Sequence, residues 1–140
     1  MIIGIGCDLA EVSRIKRALG MKGFAARVFT RREQDYCMAR GAQAYASFAA
    51  RFAAKEAFLK AAGTGLGGFA LTDLTVLRKE SGAPYFALTE IEVINDALGR
   101  PQLVLYGYFK DYAKGLGTEK IHLTLSHTKE LAMAQVILEG

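Results

Sequence analysis

The stretch from Ala50 to Ala62, closed by Gly63, constrains this chain more than any other. Six alanines stand there among Leu, Lys, Glu and Arg, with no proline and no β-branched residue, and glycine marks the stop. That composition specifies a helix. At about 100° per residue, Phe48, Phe52 and Leu59 fall on one narrow apolar stripe. Glu56 and Lys60 lie on one side of it, Arg51 and Lys55 on the other, and the back is Ala50, Ala53, Ala54, Ala57 and Ala61. A surface helix carries its charges opposite the apolar face. Here they flank it, and the opposite face is small enough for close packing. Charge placement alone leaves two readings open. One is a solvated helix with a Glu56–Lys60 pair worth a few tenths of a kcal/mol; the other is a helix with a functional seam.

At 140 residues the chain suits one domain, spanning 1–140, with an adequate core. No apolar run approaches the roughly 18 residues of a membrane span, and Met1-Ile2-Ile3-Gly4 lacks the basic start of a secretion signal. No membrane role is therefore expected. Cys7 and Cys37 are isolated and form no disulfide framework, which suits a reducing, cytoplasmic setting. The net charge of +4 favours an acidic partner or a phosphate ligand without implying nucleic acid.

Met1 to Cys7 reads as a short buried strand that delivers Asp8 at its tip, where an acid serves as a cap or as a hard-cation ligand. Gly4-x-Gly6 has no third glycine and is not a dinucleotide fingerprint. Glu11 to Leu19 reads as a helix with Val12, Ile15 and Leu19 inward. Arg14, Lys16 and Arg17, with Lys22 beyond, form a basic patch without interleaved aromatics. An acidic helix matches such a patch better than nucleic acid does; a solvated face is the plain alternative. Phe24 to Phe29 is short and amphipathic. Thr30 and Glu33 fit a capping box that opens a helix to about Ala39, Gly41 breaks it, and the long helix runs from about Ala42 to Ala62.

Gly63 to Gly68 is a connector without the ending of a P-loop. Beyond it, Ala70 to Leu77 is echoed by Ala87 to Ile94 at an offset of 17, each followed by a turn with glycine and proline. The pair reads as successive hairpins of one antiparallel sheet. Tyr108 to Leu116 reads as a helix, and His122–Ser126 and Leu131–Leu138 as strands joined by a turn at His127–Glu130. The fold class is thus α+β: an antiparallel sheet packed against a long central helix, with additional short helices, in a single domain. His127, among Ser126, Thr128 and Lys129, has more phosphate-binding character than His122, though local pattern alone favours a solvated turn.

Asp8 and Glu56 are the acids that surface decoration does not explain. A strand Asp and a helix Glu can jointly hold Mg²⁺, which takes one or two carboxylates plus water and phosphate oxygens. Lys60, Arg51, Lys55 and His127 would then be available for phosphates. Such a set suits displacement at phosphorus, where the protein positions the reactants and cations offset developing charge.

Three motifs carry a resemblance. They are Gly4-Ile5-Gly6-Cys7-Asp8-Leu9-x-Glu11, then Arg51-Phe52-Ala53-Ala54-Lys55-Glu56-Ala57-Phe58-x-Lys60-Ala61-x-Gly63-Thr64-Gly65, then Leu125-Ser126-His127-Thr128-Lys129-Glu130. Together with Phe24-Ala25-x-Arg27-Val28-Phe29-Thr30 they resemble the small 4′-phosphopantetheinyl transferase family, the holo-[acyl-carrier-protein] synthases, over nearly the whole chain. The resemblance implies transfer of phosphopantetheine from coenzyme A to a serine of apo-acyl carrier protein, in fatty acid biosynthesis, with release of adenosine 3′,5′-bisphosphate. It implies Asp8 and Glu56 as Mg²⁺ ligands, with Glu56 or a water on the metal taking the serine proton. Lys60 falls near the transferred phosphate. Arg51, Lys55, His127 and Thr128 lie in motifs that line the coenzyme A site, and Arg14 and Arg17 would meet the acidic helix of the carrier protein. The family forms homotrimers with sites between subunits. One departure stands out: the family pattern has a single strand-and-turn unit where this chain has two. The alternatives are a coenzyme A or carrier-protein binding module without catalysis, and a nucleic-acid-binding domain acting through Arg14 to Lys22.

Overall fold

The first strand inverts the usual pattern of apolar-in and polar-out. In the computed structural model, which describes residues 1–63, 77–78, 84–85 and 88–140, β1 covers Ile2–Glu11. Gly4, Gly6, Asp8 and Ala10 share its inward face, because alternate residues of a strand point the same way. Ile5 and Leu9 are more than half exposed on the other face. The glycines are required by the long helix α4 (Ala44–Ala61), which lies directly against them. A Cβ on Gly4 would stand 1.9 Å from the carbonyl oxygen of Ala61, and one on Gly6 would stand 1.9 Å from that of Ala57. The Gly4-x-Gly6 pair therefore serves close helix–strand approach.

The alanine face of α4 is the other half of that contact. Ala53, Ala54 and Ala57 are fully buried, and Ala50 and Ala61 nearly so, against β1 and the last strand, β7 (Leu131–Glu139). Fifteen of the eighteen residues of α4 are buried, so it is enclosed on all sides rather than amphipathic. Phe29 and Phe48 meet edge to face in the core. β7 runs antiparallel to both β1 and β6 (Lys120–His127), giving the order β1-β7-β6. It turns Ala132, Ala134, Val136 and Leu138 inward beneath α4.

Short helices surround this unit: α1 (Val12–Leu19), α2 (Phe24–Val28) and α3 (Arg31–Met38) before α4, and α5 (Gly107–Gly115) after it. The capping box is present in full. The Glu33 amide donates to Thr30 Oγ1 and the Thr30 amide to the Glu33 carboxylate. Gly41 takes a left-handed φ of +59° where α3 gives way to the approach to α4.

Two expectations are corrected. Asp8 is not at a strand tip: β1 continues to Glu11 because β7 pairs with it that far, and Asp8 sits opposite Ala134 in mid-strand. Nor do the hairpins join one sheet. Among the described residues β2 (Leu77–Arg78) pairs with β3 (Pro84–Tyr85) alone, and β4 (Ile91–Asn95) with β5 (Pro101–Leu105) alone. The second copy of the repeat enters the core, with Leu88, Ile91 and Val93 buried. Most of the first copy, Ala70 to Val76, lies outside the described residues, as does the connector beyond Gly63. No helix among the described residues is long and apolar enough to cross a membrane.

Candidate active site

Close approach at Gly4 and Gly6 brings the next inward residue of β1, Asp8, against the charged edge of α4. Lys60 Nζ donates to Asp8 Oδ1 at 2.9 Å and to the Cys7 carbonyl at 3.1 Å. Glu56, one turn earlier on the same edge, faces Asp8 within side-chain hydrogen-bonding reach. Desolvation first, and then Asp8, pushes the Glu56 carboxyl up to about 8, with Lys60 and Arg14 pulling the other way. With both acids ionised, Asp8 Oδ2 is buried and receives no hydrogen bond. Two hard-oxygen groups with an orphaned lone pair between them call for a proton or a cation. The donor set fits Mg²⁺, which is content with one or two carboxylates provided water and phosphate oxygens complete its shell. Among the described residues no cluster of three or more His, Cys, Asp or Glu could hold a metal by itself.

The other charged edge of α4 does something different. Lys55 is fully buried, and its three ammonium protons have three acceptors: Glu33 Oε1 at 2.7 Å, the Leu88 carbonyl at 2.8 Å and the Ile91 carbonyl at 2.5 Å. Glu33 Oε2 in turn accepts the Val93 amide at 2.9 Å. Burial drives the ammonium below its ordinary range while Glu33 works to keep it charged. Lys55, expected at coenzyme A, here ties α3, α4 and the segment 88–91 together, its three protons taken by Glu33, Leu88 and Ile91. Arg51 is similarly enclosed. Its Nη2 donates to Asn95 Oδ1 at 2.5 Å, and its guanidinium lies 4.1 Å from the centre of the Tyr36 ring. Only 3% of Arg51 is exposed, so the phosphate contact expected of it is not offered at the surface of the chain.

His127 and Thr128 stand apart from the acids. They line an open cleft of about 960 Å³ between the start of α1, the start of α4 and the turn joining β6 to β7. The Thr128 hydroxyl is committed to that turn, accepting the Leu131 and Glu130 amides at 3.1 and 3.3 Å. Ala46 of α4 also borders the cleft, ten residues before Glu56 and hence about 15 Å from it at 1.5 Å per residue. Asp8, Glu56 and Lys60 are thus brought together, while His127 and Thr128 form a second place on the same chain. Arg14 and Arg17 are exposed on α1, and Arg14 is close enough for its charge to act on Glu56. The basic patch is divided: Lys16 turns into the cleft, where its ammonium lies 5.1 Å from the centre of the Tyr45 ring. Sequence reasoning missed Tyr45, because a lone aromatic at the head of a helix full of core phenylalanines gives no local signal.

The 4′-phosphopantetheinyl transferase superfamily model matches residues 4–134. A holo-[acyl-carrier-protein] synthase of Treponema denticola is 42% identical over 140 residues, covering all of both chains. Among solved structures, the holo-[acyl-carrier-protein] synthase of Neisseria meningitidis shares 30% identity over the full length of both chains, with a TM-score of 0.78. That of Bacillus anthracis, solved in complex with CoA (3′,5′-ADP), shares 34% identity over 99% of this chain and 96% of its own, with a TM-score of 0.70.

Proposed function

The chain belongs to the 4′-phosphopantetheinyl transferase superfamily, and from that premise we propose how its residues carry out the reaction of a holo-[acyl-carrier-protein] synthase. It transfers the 4′-phosphopantetheine of coenzyme A to a serine of apo-acyl carrier protein. The observation that carries the residue assignment is the meeting of Asp8, Glu56 and Lys60, with Asp8 Oδ2 buried and unsatisfied.

The serine oxygen forms a bond to the phosphorus that bears pantetheine. The bond from that phosphorus to the adenosine 5′-phosphate oxygen breaks, and adenosine 3′,5′-bisphosphate departs. Glu56, or a water beside it, would take the serine proton. Lys60, half-exposed beside Asp8, presents its ammonium to the phosphate, where fixed positive charge is worth most as negative charge develops. Asp8 and Glu56 would hold Mg²⁺, which when bound supplies charge against the pyrophosphate oxygens. Arg14 and Arg17 meet the acidic helix of the carrier protein, whose charge they complement.

One chain holds the parts of this site in two places. The pyrophosphate and the 3′-phosphate of coenzyme A sit on a single ribose, yet the acids and the His127 cleft are about 15 Å apart along α4. A second copy that sets its cleft beside the first copy's acids resolves this. The outer face of the β1-β7-β6 sheet supplies an apolar surface for it, with Ile5 paired to Ile137 and Leu9 to Met133. We therefore favour a homotrimer with shared sites, working in the cytoplasm on the carrier proteins of fatty acid synthesis.

Mass spectrometry of apo-acyl carrier protein incubated with coenzyme A, Mg²⁺ and this protein tests the proposal. The expected result is a gain of one phosphopantetheine, abolished by Asp8→Ala and by Glu56→Ala in variants that stay folded. The Mg²⁺-dependent rise in Tm should vanish in the same two variants. Full turnover in either would overturn the assignment, and binding of both substrates without transfer would favour a non-catalytic module.

A further inference from the structure

The reaction above leaves the Glu33–Lys55 pair unused, although Lys55 stands next to Glu56 in the chain. Both side chains of the pair are fully buried. Glu33 is a fixed post. Its Oε1 accepts the Thr30 amide at 3.0 Å and its Oε2 the Val93 amide at 2.9 Å, so α3 and β4 orient the carboxylate without help from α4. Thr30 is itself tied down, its hydroxyl donating to Glu92 Oε2 at 2.5 Å. Lys55 then fastens α4 to Glu33 and to the Leu88 and Ile91 carbonyls by three directional bonds. On the β1 side of the helix the contact is of another kind. Gly4 and Gly6 lie against Ala61 and Ala57. Glycine on alanine sets how near the two elements come, yet offers no protruding side chain to hold α4 against rotation about its axis. Glu56, about 100° around the helix from Lys55, turns with it.

We propose that Glu33 is a positioning residue for the reaction: through Lys55 it sets the rotation of α4 and so holds the Glu56 carboxylate opposite Asp8. The inference rests on the transferase reading and adds to it a residue remote from both substrates. The leverage is large. Side-chain tips lie roughly 5–6 Å from a helix axis, so a rotation of about 10° moves the Glu56 carboxylate by about 1 Å. A working constellation of side chains tolerates about 0.5 Å, and a misplacement of about 1 Å costs on the order of 100-fold in rate.

A lower Tm alone would not distinguish positioning from plain stabilisation. The test therefore uses the double variant Glu33→Gln/Lys55→Met, which strands no charge, and Glu33→Asp, which keeps the charge but withdraws it by one methylene. Both are compared with the wild type at a temperature where circular dichroism shows them folded. Transfer gives kcat and the KM values for coenzyme A and carrier protein; the dependence of Tm on Mg²⁺ concentration gives metal affinity without substrates. In both variants kcat should fall about 10- to 100-fold while both KM values stay within about twofold of the wild type. The Kd for Mg²⁺ should rise about tenfold. A folded variant of either kind that keeps the wild-type kcat or the wild-type Mg²⁺ affinity overturns the inference. So does a loss confined to the KM for coenzyme A, which would return Lys55 to the substrate. A wild type that transfers nothing fails the transferase reading itself, and the Mg²⁺ measurement then still decides whether Glu33 holds Glu56 opposite Asp8.

Discussion

Replacing Lys55 by Met separates a structural role from a ligand-binding one at the position where motif and geometry disagree. Met keeps most of the side-chain volume, so little cavity cost arises and the loss is mainly electrostatic. Three hydrogen bonds disappear, to Glu33, Leu88 and Ile91. The Glu33 carboxylate stays fully buried with the Thr30 and Val93 amides as its remaining donors among the described residues. Breaking a buried pair from one side costs about 3–5 kcal/mol, a large share of the roughly 5–15 kcal/mol that keeps a domain folded. At about 2–4 °C per kcal/mol for a chain near this size, Tm should fall by roughly 6–20 °C. Urea unfolding followed by far-ultraviolet circular dichroism measures it directly. Glu33→Gln combined with Lys55→Met should be less destabilised than the sum of the single changes, because no charge is then stranded. A Lys55→Met protein that unfolds at the wild-type midpoint but needs far more coenzyme A would refute this reasoning and return Lys55 to the substrate.

Gly6→Ala should cost at least about 1–3 kcal/mol and lower kcat/KM, since its Cβ would meet the Ala57 carbonyl at 1.9 Å and push Asp8 from Glu56; Gly115→Ala, with open space around it, should change neither. Arg17→Glu should raise the KM for carrier protein while leaving that for coenzyme A near the wild-type value, and the loss should shrink as salt rises. Burial pushes the Cys37 thiol up to about 11, so alkylation at pH 8 should reach it only on unfolding; labelling of Cys37 in the native protein would contradict its enclosure. Desolvation opposes ionisation of Glu92, but hydrogen bonds from Arg32, Thr30 and Tyr106 outweigh it and hold the carboxyl below its ordinary range. A depressed acid stabilises the fold above its unfolded pKa of about 4.3 and loses that as pH falls through the folded value. Glu92→Gln should therefore flatten the acid limb of the stability–pH curve.

The helix boundaries and the Thr30–Glu33 capping box were legible because caps, breakers and alanine-rich runs act over a few residues. The long-range outcomes were not. The pattern at Glu33 signals a cap, and the cap forms, yet nothing local reveals that the same carboxylate also neutralises Lys55 across the core. Periodicity placed Lys55 and Glu56 on opposite flanks of one stripe, which is correct. It could not tell which flank would be sealed by the second hairpin and which would stay open to ligand.

That asymmetry is settled by what lies against each flank. On one, the turn Leu88–Glu90 and β4 bring the Leu88 and Ile91 carbonyls and the Val93 amide, a set of backbone groups that must be satisfied once buried. Lys55 and Glu33 satisfy them, so both charges are consumed by folding. On the other flank the neighbour is β1, whose glycines bring its backbone into contact with α4 and whose next inward residue is an acid. Asp8 gains Lys60 as a partner but keeps one oxygen without a donor. There the Cys7 carbonyl is met by Lys60, and what remains is the need of the paired acids for a proton or a cation. Consecutive residues of one helix thus divide the labour: Lys55 fixes the hairpin that holds the helix in place, and Glu56 stands beside Asp8, where we propose that the metal and substrate bind.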